Sequence, residues 1–214
     1  MKIKLFVFLL LLPAFYVKAQ HNLSVGIDVN NQVTGLSPIY GAKSRNILIH
    51  GFGIGVLKSF KADKIQLKSG LSYQFTTLEF ENIPHGILQN GAVNMVGTMD
   101  QEVKQNFISL PITINYTVLQ LNKSAFQVFG GTQFLYRYRN KYEQTSTYNG
   151  ETEGVTQPND IHPLMDVGLS FYFKPQDRIQ LFVKPKYSYL FKELPFSKDK
   201  NVLGVNLELY YNIR

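Results

Sequence analysis

Cysteine is absent from the 214 residues of the chain. This absence excludes disulfide bonds, zinc sites built on cysteine and catalysis by a thiol. Long apolar runs are also scarce, since no segment after residue 19 reaches the roughly 18 apolar residues that a transmembrane helix needs. A sustained helical period of about 3.6 residues is missing from the same part of the chain. The sequence therefore predicts a fold built from strands.

Residues 1–19 differ from the rest of the chain. Lys2 and Lys4 precede the apolar run Leu5–Leu12, and the small residue Ala19 closes the segment. This order predicts a cleaved signal peptide over residues 1–19 and one domain over residues 20–214. Cleavage removes three lysines and no acid, so the formal charge falls from +7 to +4. This modest charge on an exported protein predicts no nucleic-acid partner.

Within the stretch Asn106–Val118, every second residue from Ile108 to Val118 is apolar, and the residues between them are Ser109, Pro111, Thr113, Asn115 and Thr117. A period of two gives a strand one apolar and one polar face. The stretch is also long enough for a tilted membrane-spanning strand, which needs about 9 to 11 residues. Seven further segments repeat the pattern. The predicted strands cover residues 22–30, 47–60, 65–75, 106–118, 125–142, 163–173, 179–190 and 202–214.

Eight strands joined in sequence can close into a soluble barrel with an apolar interior, or into a membrane barrel with an apolar exterior. The predicted connections alternate between long and short, and the minority face carries small and polar residues, both typical of the membrane barrel. We therefore predict an all-β, eight-stranded antiparallel up-and-down transmembrane β-barrel in contact with outer-membrane lipid. Tyrosines near strand ends on the apolar face predict an aromatic girdle: Tyr73, Tyr116, Tyr136, Tyr138, Tyr187, Tyr189 and Tyr211.

Four short motifs resemble those of one known family. They are Ala19-Gln20, Phe107-Ile108-Ser109-Leu110-Pro111, Phe129-Gly130-Gly131 and Asp166-Val167-Gly168-Leu169. On these motifs, the chain resembles the PorT-like outer-membrane β-barrel proteins of Bacteroidetes-type bacteria. The resemblance spans nearly the whole mature chain. It implies an outer-membrane location after export.

The polar face carries few charges, and these predict a charge network inside the barrel. An unpaired charge in a confined interior is costly, so each should have a partner. We expect Asp166 to pair with Lys186 and Glu208 to pair with Lys184. A filled lumen is the main expectation for eight strands, and a narrow solute channel is the alternative. The predicted lumen residues are Asp28, Lys68, Arg137, Arg139, Asp166, Lys184, Lys186 and Glu208.

Catalytic, metal-binding and cofactor motifs are not found. Gly51, Gly53 and Gly55 imitate part of a phosphate-binding pattern, but no helix follows them. The histidines His21, His50, His85 and His162 have no metal-ligand spacing. We therefore predict a non-enzymatic protein without metal or cofactor. A lipid-modifying enzyme that uses His50 or His162 near the outer rim is a further alternative.

Two long polar segments, Thr76–Lys104 and Glu143–Ile161, are predicted to be loops. Connections of this length are usually functional. We expect a monomeric barrel that contacts envelope or secretion proteins through them. Pro111 and Pro185 lie inside predicted strands, and proline removes a ladder hydrogen bond. The sequence therefore predicts β-bulges at both prolines.

Overall fold

The structure is a computed structural model that describes residues 23–37, 41–43, 46–60, 64–89, 92–147 and 150–213. The predicted signal peptide, residues 1–19, lies outside these residues. Within the described ranges, no helix is long and apolar enough to cross a bilayer. The described chain forms strands, which are β1 Leu23–Leu36, β2 Asn46–Phe60, β3 Ile65–Gln89, β4 Ala92–Gln120, β5 Ser124–Ser146, β6 Gly150–Thr156, β7 Asp160–Gln176, β8 Ile179–Leu190 and β9 Ser197–Ile213.

Eight of these strands form a closed ring. The sheet order is β4-β3-β2-β1-β9-β8-β7-β5-β6, and an additional pairing between β4 and β5 closes it. Every neighbouring pair is antiparallel. The ninth strand, β6, pairs with the last residues of β5 and is not one of the eight strands of the ring. The predicted eight-stranded antiparallel up-and-down barrel is confirmed.

The outward face of the ring is apolar. On β9, outward side chains alternate from Leu203 to Ile213 and are exposed. At about 3.4 Å per residue and a strand tilt of about 40°, this stretch rises roughly 26 Å, close to the apolar band of membrane barrels. The same band continues round the ring through exposed side chains that include Ile27, Phe52, Ile54, Leu71, Ile114, Val128, Met165, Val167, Leu169, Phe171 and Val183.

The two ends of the barrel differ. The connections of β2 to β3, β4 to β5 and β7 to β8 lie at one end, here called the turn end. The connections of β1 to β2, β3 to β4 and β8 to β9 lie at the opposite end, the loop end. Tyrosines of the predicted girdle occur near both ends. Tyr116 and Tyr211 are exposed toward the turn end, whereas Tyr187 and Tyr189 are exposed toward the loop end.

The prediction of two long loops is wrong. Strand β3 continues to Gln89, which pairs with Ala92 of β4, so residues 76–89 and 92–104 form the two strands of a hairpin. Within 143–161, β5 continues to Ser146, β6 pairs with it, and β7 begins at Asp160. Register shifts absorb the turn-forming residues, as at Asn82, whose φ is 53°. Residues 76–89, 92–105, 140–146 and 150–156 thus form a four-stranded sheet beyond the apolar band, here called the extension sheet.

The prediction of bulges at the two prolines is also wrong. Pro111 pairs in register with Gln133 of β5, and Pro185 pairs in register with Val205 of β9. On the other side of each proline the pairing lapses for two residues and resumes in the same register. The missing N–H is therefore accommodated by a local gap in one ladder, with no extra residue inserted.

Candidate functional site

The interior of the barrel is arranged in three levels. Twelve apolar inward side chains toward the loop end form one buried cluster. Phe107 and Leu135 are fully buried within it on the neighbouring strands β4 and β5. We call this cluster the loop-end layer. Its members are Leu36, Ile47, Ile49, Leu78, Phe80, Val103, Phe107, Leu135, Leu164, Leu190, Leu194 and Val202.

Below the loop-end layer lies a chain of alternating charges, here called the lumen charge cluster, made of Asp28, Lys68, Glu208 and Lys184. Lys68 Nζ lies 3.3 Å from Asp28 Oδ2 and 2.7 Å from Glu208 Oε1. Lys184 Nζ lies 3.2 Å from the other oxygen of Glu208, Oε2. All four side chains are buried. Each cation therefore contacts a carboxylate, as burial of charge requires.

A second buried pair joins β7 and β8. Lys186 Nζ lies 3.6 Å from Asp166 Oδ2 and donates a hydrogen bond of 3.3 Å to Gln133 Oε1. Both ion pairs expected from the sequence, Lys184 with Glu208 and Lys186 with Asp166, are thus present. A cavity of only about 20 Å³ remains between the two groups of charges. That volume accommodates about one water molecule.

The third level closes the turn end with aromatic rings, and we call it the turn-end layer. The Phe182 ring lies 4.9 Å from the Tyr172 ring and 5.9 Å from the Tyr210 ring, measured between centroids. Leu57 and Ala125 complete the buried cluster. Lys184 Nζ lies 5.4 Å from the Phe182 ring centroid, within the range of a cation–π contact. The charges are therefore separated from water at both ends of the lumen.

Arg137 and Arg139, the remaining predicted lumen residues, do not join these charges. Arg137 lies at the rim, where Nε lies 2.8 Å from Asp160 Oδ1 and Nη2 lies 2.9 Å from Oδ2. The inward placement of Arg139 is wrong. A register shift between β4 and β5 at Asn106/Phe107 places one extra residue on β5, so Arg139 shares the outward face with Asn106 and is exposed.

His50 and His162 make local contacts. His50 Nδ1 lies 2.7 Å from Asn31 Oδ1 on the outer surface. His162 is buried, and its Nε2 lies 3.0 Å from Asp160 Oδ2 while its Nδ1 lies 3.4 Å from the Lys192 carbonyl oxygen. His21 lies outside the described residues. Across the part of the chain that the structure describes, no cluster of three or more potential metal ligands occurs.

The outward face of the extension sheet carries a row of glutamates. Glu79 is opposite Glu102, Glu102 is opposite Glu143, and Glu143 is opposite Glu153. Like charges directly opposite each other destabilise a sheet. Lysines lie between them. Lys104 Nζ lies 3.2 Å from Glu102, and Lys141 Nζ lies 2.7 Å from Glu143 and 3.1 Å from Glu153.

These contacts shift the protonation equilibria of exposed groups. The pKa of Glu143 is lowered, first by the hydrogen bond that it accepts from Lys141 and then by the charge of Lys104. The pKa of Lys141 is raised by its hydrogen bonds to Glu143 and Glu153. Both groups are therefore charged at neutral pH. The row nevertheless carries more acid than base.

Sequence reasoning missed the two apolar levels of the lumen. A signal for them is present where consecutive residues are all apolar, as in Ile47-Leu48-Ile49 and in Phe171-Tyr172-Phe173. In such runs the inward position is as apolar as the outward ones. The glutamate row was also missed, because it depends on the register of four strands within segments predicted to be loops.

Together, the closed ring, the outward apolar band and the ion-paired interior define the chain as a membrane-spanning β-barrel protein of eight strands with a filled lumen. No protein-family model and no curated protein matches the chain.

Several solved outer-membrane proteins are similar in structure. The Ail attachment invasion locus protein of Yersinia pestis has 14% identity and a TM-score of 0.43, with 91% of this chain and 100% of that one covered. A major outer membrane protein of Thermus thermophilus has 12% identity and a TM-score of 0.45, covering 90% and 100%. Neisserial surface protein A has 11% identity and a TM-score of 0.39, covering 91% and 99%. At these scores the similarities add nothing to the strand pairing described above.

Proposed function

We propose that the chain is a non-enzymatic integral outer-membrane protein whose closed barrel anchors the extension sheet as a binding surface for an envelope or secretion protein. The single observation that carries this proposal is the contrast between the two parts. The lumen is filled, yet four strands continue past the apolar band and expose polar side chains. We therefore assign the function of the molecule to its outer surface.

The filled interior and the apolar exterior of the barrel support an anchoring role. Apolar layers cover both ends of the lumen, and buried ion pairs fill the space between them. The predicted signal peptide supports export, and the apolar band supports insertion into the outer membrane. The motif resemblance to PorT-like proteins supports participation in an envelope or secretion assembly.

The extension sheet has the features of a stable platform. One edge is covered, because the Lys43 amide donates to the Glu79 carbonyl oxygen and the Glu81 amide donates to the Gly41 carbonyl oxygen. Its inward face contributes Leu78, Phe80 and Val103 to the loop-end layer. The sheet is thus packed on the barrel and presents its outward face in a fixed orientation.

Shortening the sheet tests the proposal. Residues 82–99 would be replaced by Asn-Gly, a two-residue turn that keeps the β3–β4 hairpin closed. Proteins cross-linked to the tagged barrel on whole cells would be compared between this variant and the unchanged chain. We expect specific partners to be lost from the variant and kept by Asp177→Asn, a matched change at the turn end. An unchanged set of partners, with the barrel still resistant to unfolding, would contradict the proposal.

A further inference from the structure

Strand β6 is an open edge of the extension sheet. Among the described residues, Gly150–Thr156 pairs with β5 alone. Its opposite edge therefore presents unpaired backbone N–H and C=O groups. The other outer edge of the sheet, on β3, is covered by residues 41–43 up to Glu81. An open strand edge is a template for the addition of another strand.

The side chains along this edge are acidic. Glu151 and Glu153 lie on the same face, and both are exposed. Glu153 shares Lys141 with Glu143, and no lysine or arginine of the described residues lies within 4.0 Å of Glu151. Across the described residues of the extension sheet, seven carboxylates stand against Lys104 and Lys141, and Lys43 of the covering segment contacts two of the seven, Glu79 and Glu81. The seven are Glu79, Glu81, Asp100, Glu102, Glu143, Glu151 and Glu153.

A groove accompanies the edge. Three of these carboxylates, on Glu143, Glu151 and Glu153, line an open groove of about 450 Å³ together with Gln144, Thr145 and Thr152. A groove lined by carboxylate, amide and hydroxyl groups suits the ammonium or guanidinium group of a long basic side chain.

We propose that the β6 edge accepts an extended, lysine- or arginine-bearing segment of a partner protein by strand addition. Backbone hydrogen bonds to β6 supply the part of the binding energy that does not depend on the side chains of the segment. Basic side chains at alternate positions meet Glu151 and Glu153, which select the segment by charge. This inference rests on the proposed function and names the partner chemistry of the extension sheet.

The same charges disfavour a second copy of the chain as the occupant. A symmetric antiparallel pairing of two β6 strands centred on Thr152 places Glu151 of one copy opposite Glu153 of the other. Like charges directly opposite each other destabilise the pair. Anionic lipid headgroups are disfavoured for the same reason.

The experiment uses the full mature chain in phosphatidylcholine nanodiscs and three labelled eight-residue peptides. The first alternates lysine with threonine, the second alternates glutamate with threonine, and the third is the lysine peptide with every second backbone nitrogen methylated. Fluorescence anisotropy at low salt measures binding. We expect saturable binding of the lysine peptide, none of the glutamate peptide, and at least about tenfold weaker binding of the methylated one, because methylation removes backbone donors.

Substitutions on β6 and at the turn end test where the lysine peptide binds. Glu151→Gln with Glu153→Gln should weaken the lysine peptide about fivefold, since it removes two exposed charge contacts. Asp177→Asn should leave binding unchanged. Equal binding of the methylated peptide, insensitivity to the double substitution, or dimers in sedimentation would each overturn the strand-addition site. If shortening β3–β4 abolishes partner capture on cells while the β6 substitutions do not affect capture or peptide binding, the proposed function stands and this inference fails.

Discussion

Glu208 contacts Lys184 across β8 and β9, with 3.2 Å between Oε2 and Nζ, and both side chains are almost wholly removed from water. The other oxygen of Glu208 accepts a hydrogen bond from Lys68. One carboxylate on β9 therefore links a cation from β8 to a cation from β3. In the ring, β1 and β2 lie between β3 and β9. The contact between Lys68 and Glu208 therefore crosses the lumen and connects strands that are not neighbours.

Removing the charge of Glu208 should be strongly destabilising. Glu208→Gln keeps the side-chain volume but leaves Lys184 without a carboxylate partner among the described ion pairs. A buried charge left unpaired costs about 3–5 kcal/mol. Urea unfolding of the refolded barrel, followed by tyrosine fluorescence, measures the loss. Adding Lys184→Met should recover part of it, because the unpaired cation is then gone. If the double variant loses as much free energy of unfolding as Glu208→Gln and Lys184→Met lose in sum when made singly, the ion-pair account is contradicted.

Glycines opposite aromatic residues should resist substitution. Gly168 lies opposite Phe129, and a Cβ at Gly168 would meet the Pro185 carbonyl oxygen and would lie 2.8 Å from the Phe129 ring. Gly168→Ala should therefore cost about 1–3 kcal/mol, the usual cost of overpacking. Gly130→Ala is the matched control, because its nearest neighbour would be 3.8 Å away. Urea unfolding midpoints compare the two, and equal midpoints would refute the packing argument.

The register shift on β5 can be tested by labelling, because the chain has no native cysteine. Arg139→Cys should react with a membrane-impermeant maleimide on whole cells, since Arg139 is exposed on the outward face. Gln105→Cys should be protected, because Gln105 is buried and faces inward. Asp177→Cys should react only after the cells are opened. Protection of Arg139→Cys together with labelling of Gln105→Cys would reverse the assigned faces.

Much of the barrel could be predicted from alternation, because each strand presents one face to an apolar surrounding and the other to a confined interior. This is why the faces of Asp28, Lys68 and Glu208 followed from sequence. Arg139 did not, since one extra residue on β5 reverses all later faces without changing the local pattern. The extension sheet was missed because neither of its faces meets lipid, so apolar side chains are confined to a few inward positions such as Leu78, Phe80 and Val103. The pairing of its strands depends on contacts between strands, which the sequence pattern of one segment does not show.

The hairpin of β5 and β6 should open in acid. The pKa of Glu143 is lowered in the folded protein. The contribution of Glu143 to stability is therefore complete above the ordinary glutamate pKa and is lost as the pH falls through the pKa of the folded state. Lys141 stays charged throughout, because its pKa is raised. Hydrogen-exchange protection of the β6 amides should therefore be lower at about pH 3 than at about pH 6. Glu143→Gln should reduce this difference, and an unchanged difference would exclude Glu143 as its source.

The purified barrel should not conduct ions. A permeating ion would meet Phe107 and Leu135 in the loop-end layer, then a cavity of about 20 Å³, then the rings of Tyr172, Phe182 and Tyr210. Passage would require it to lose its hydration shell without replacement ligands in the apolar layers. We therefore expect no steady single-channel current in planar bilayers. Phe107→Ala alone should remain closed because the turn-end layer is intact, whereas adding Phe182→Ala and Tyr210→Ala should permit leakage. Steady currents from the unchanged chain would show that the lumen is open, and the outer surface would then not be its only functional part.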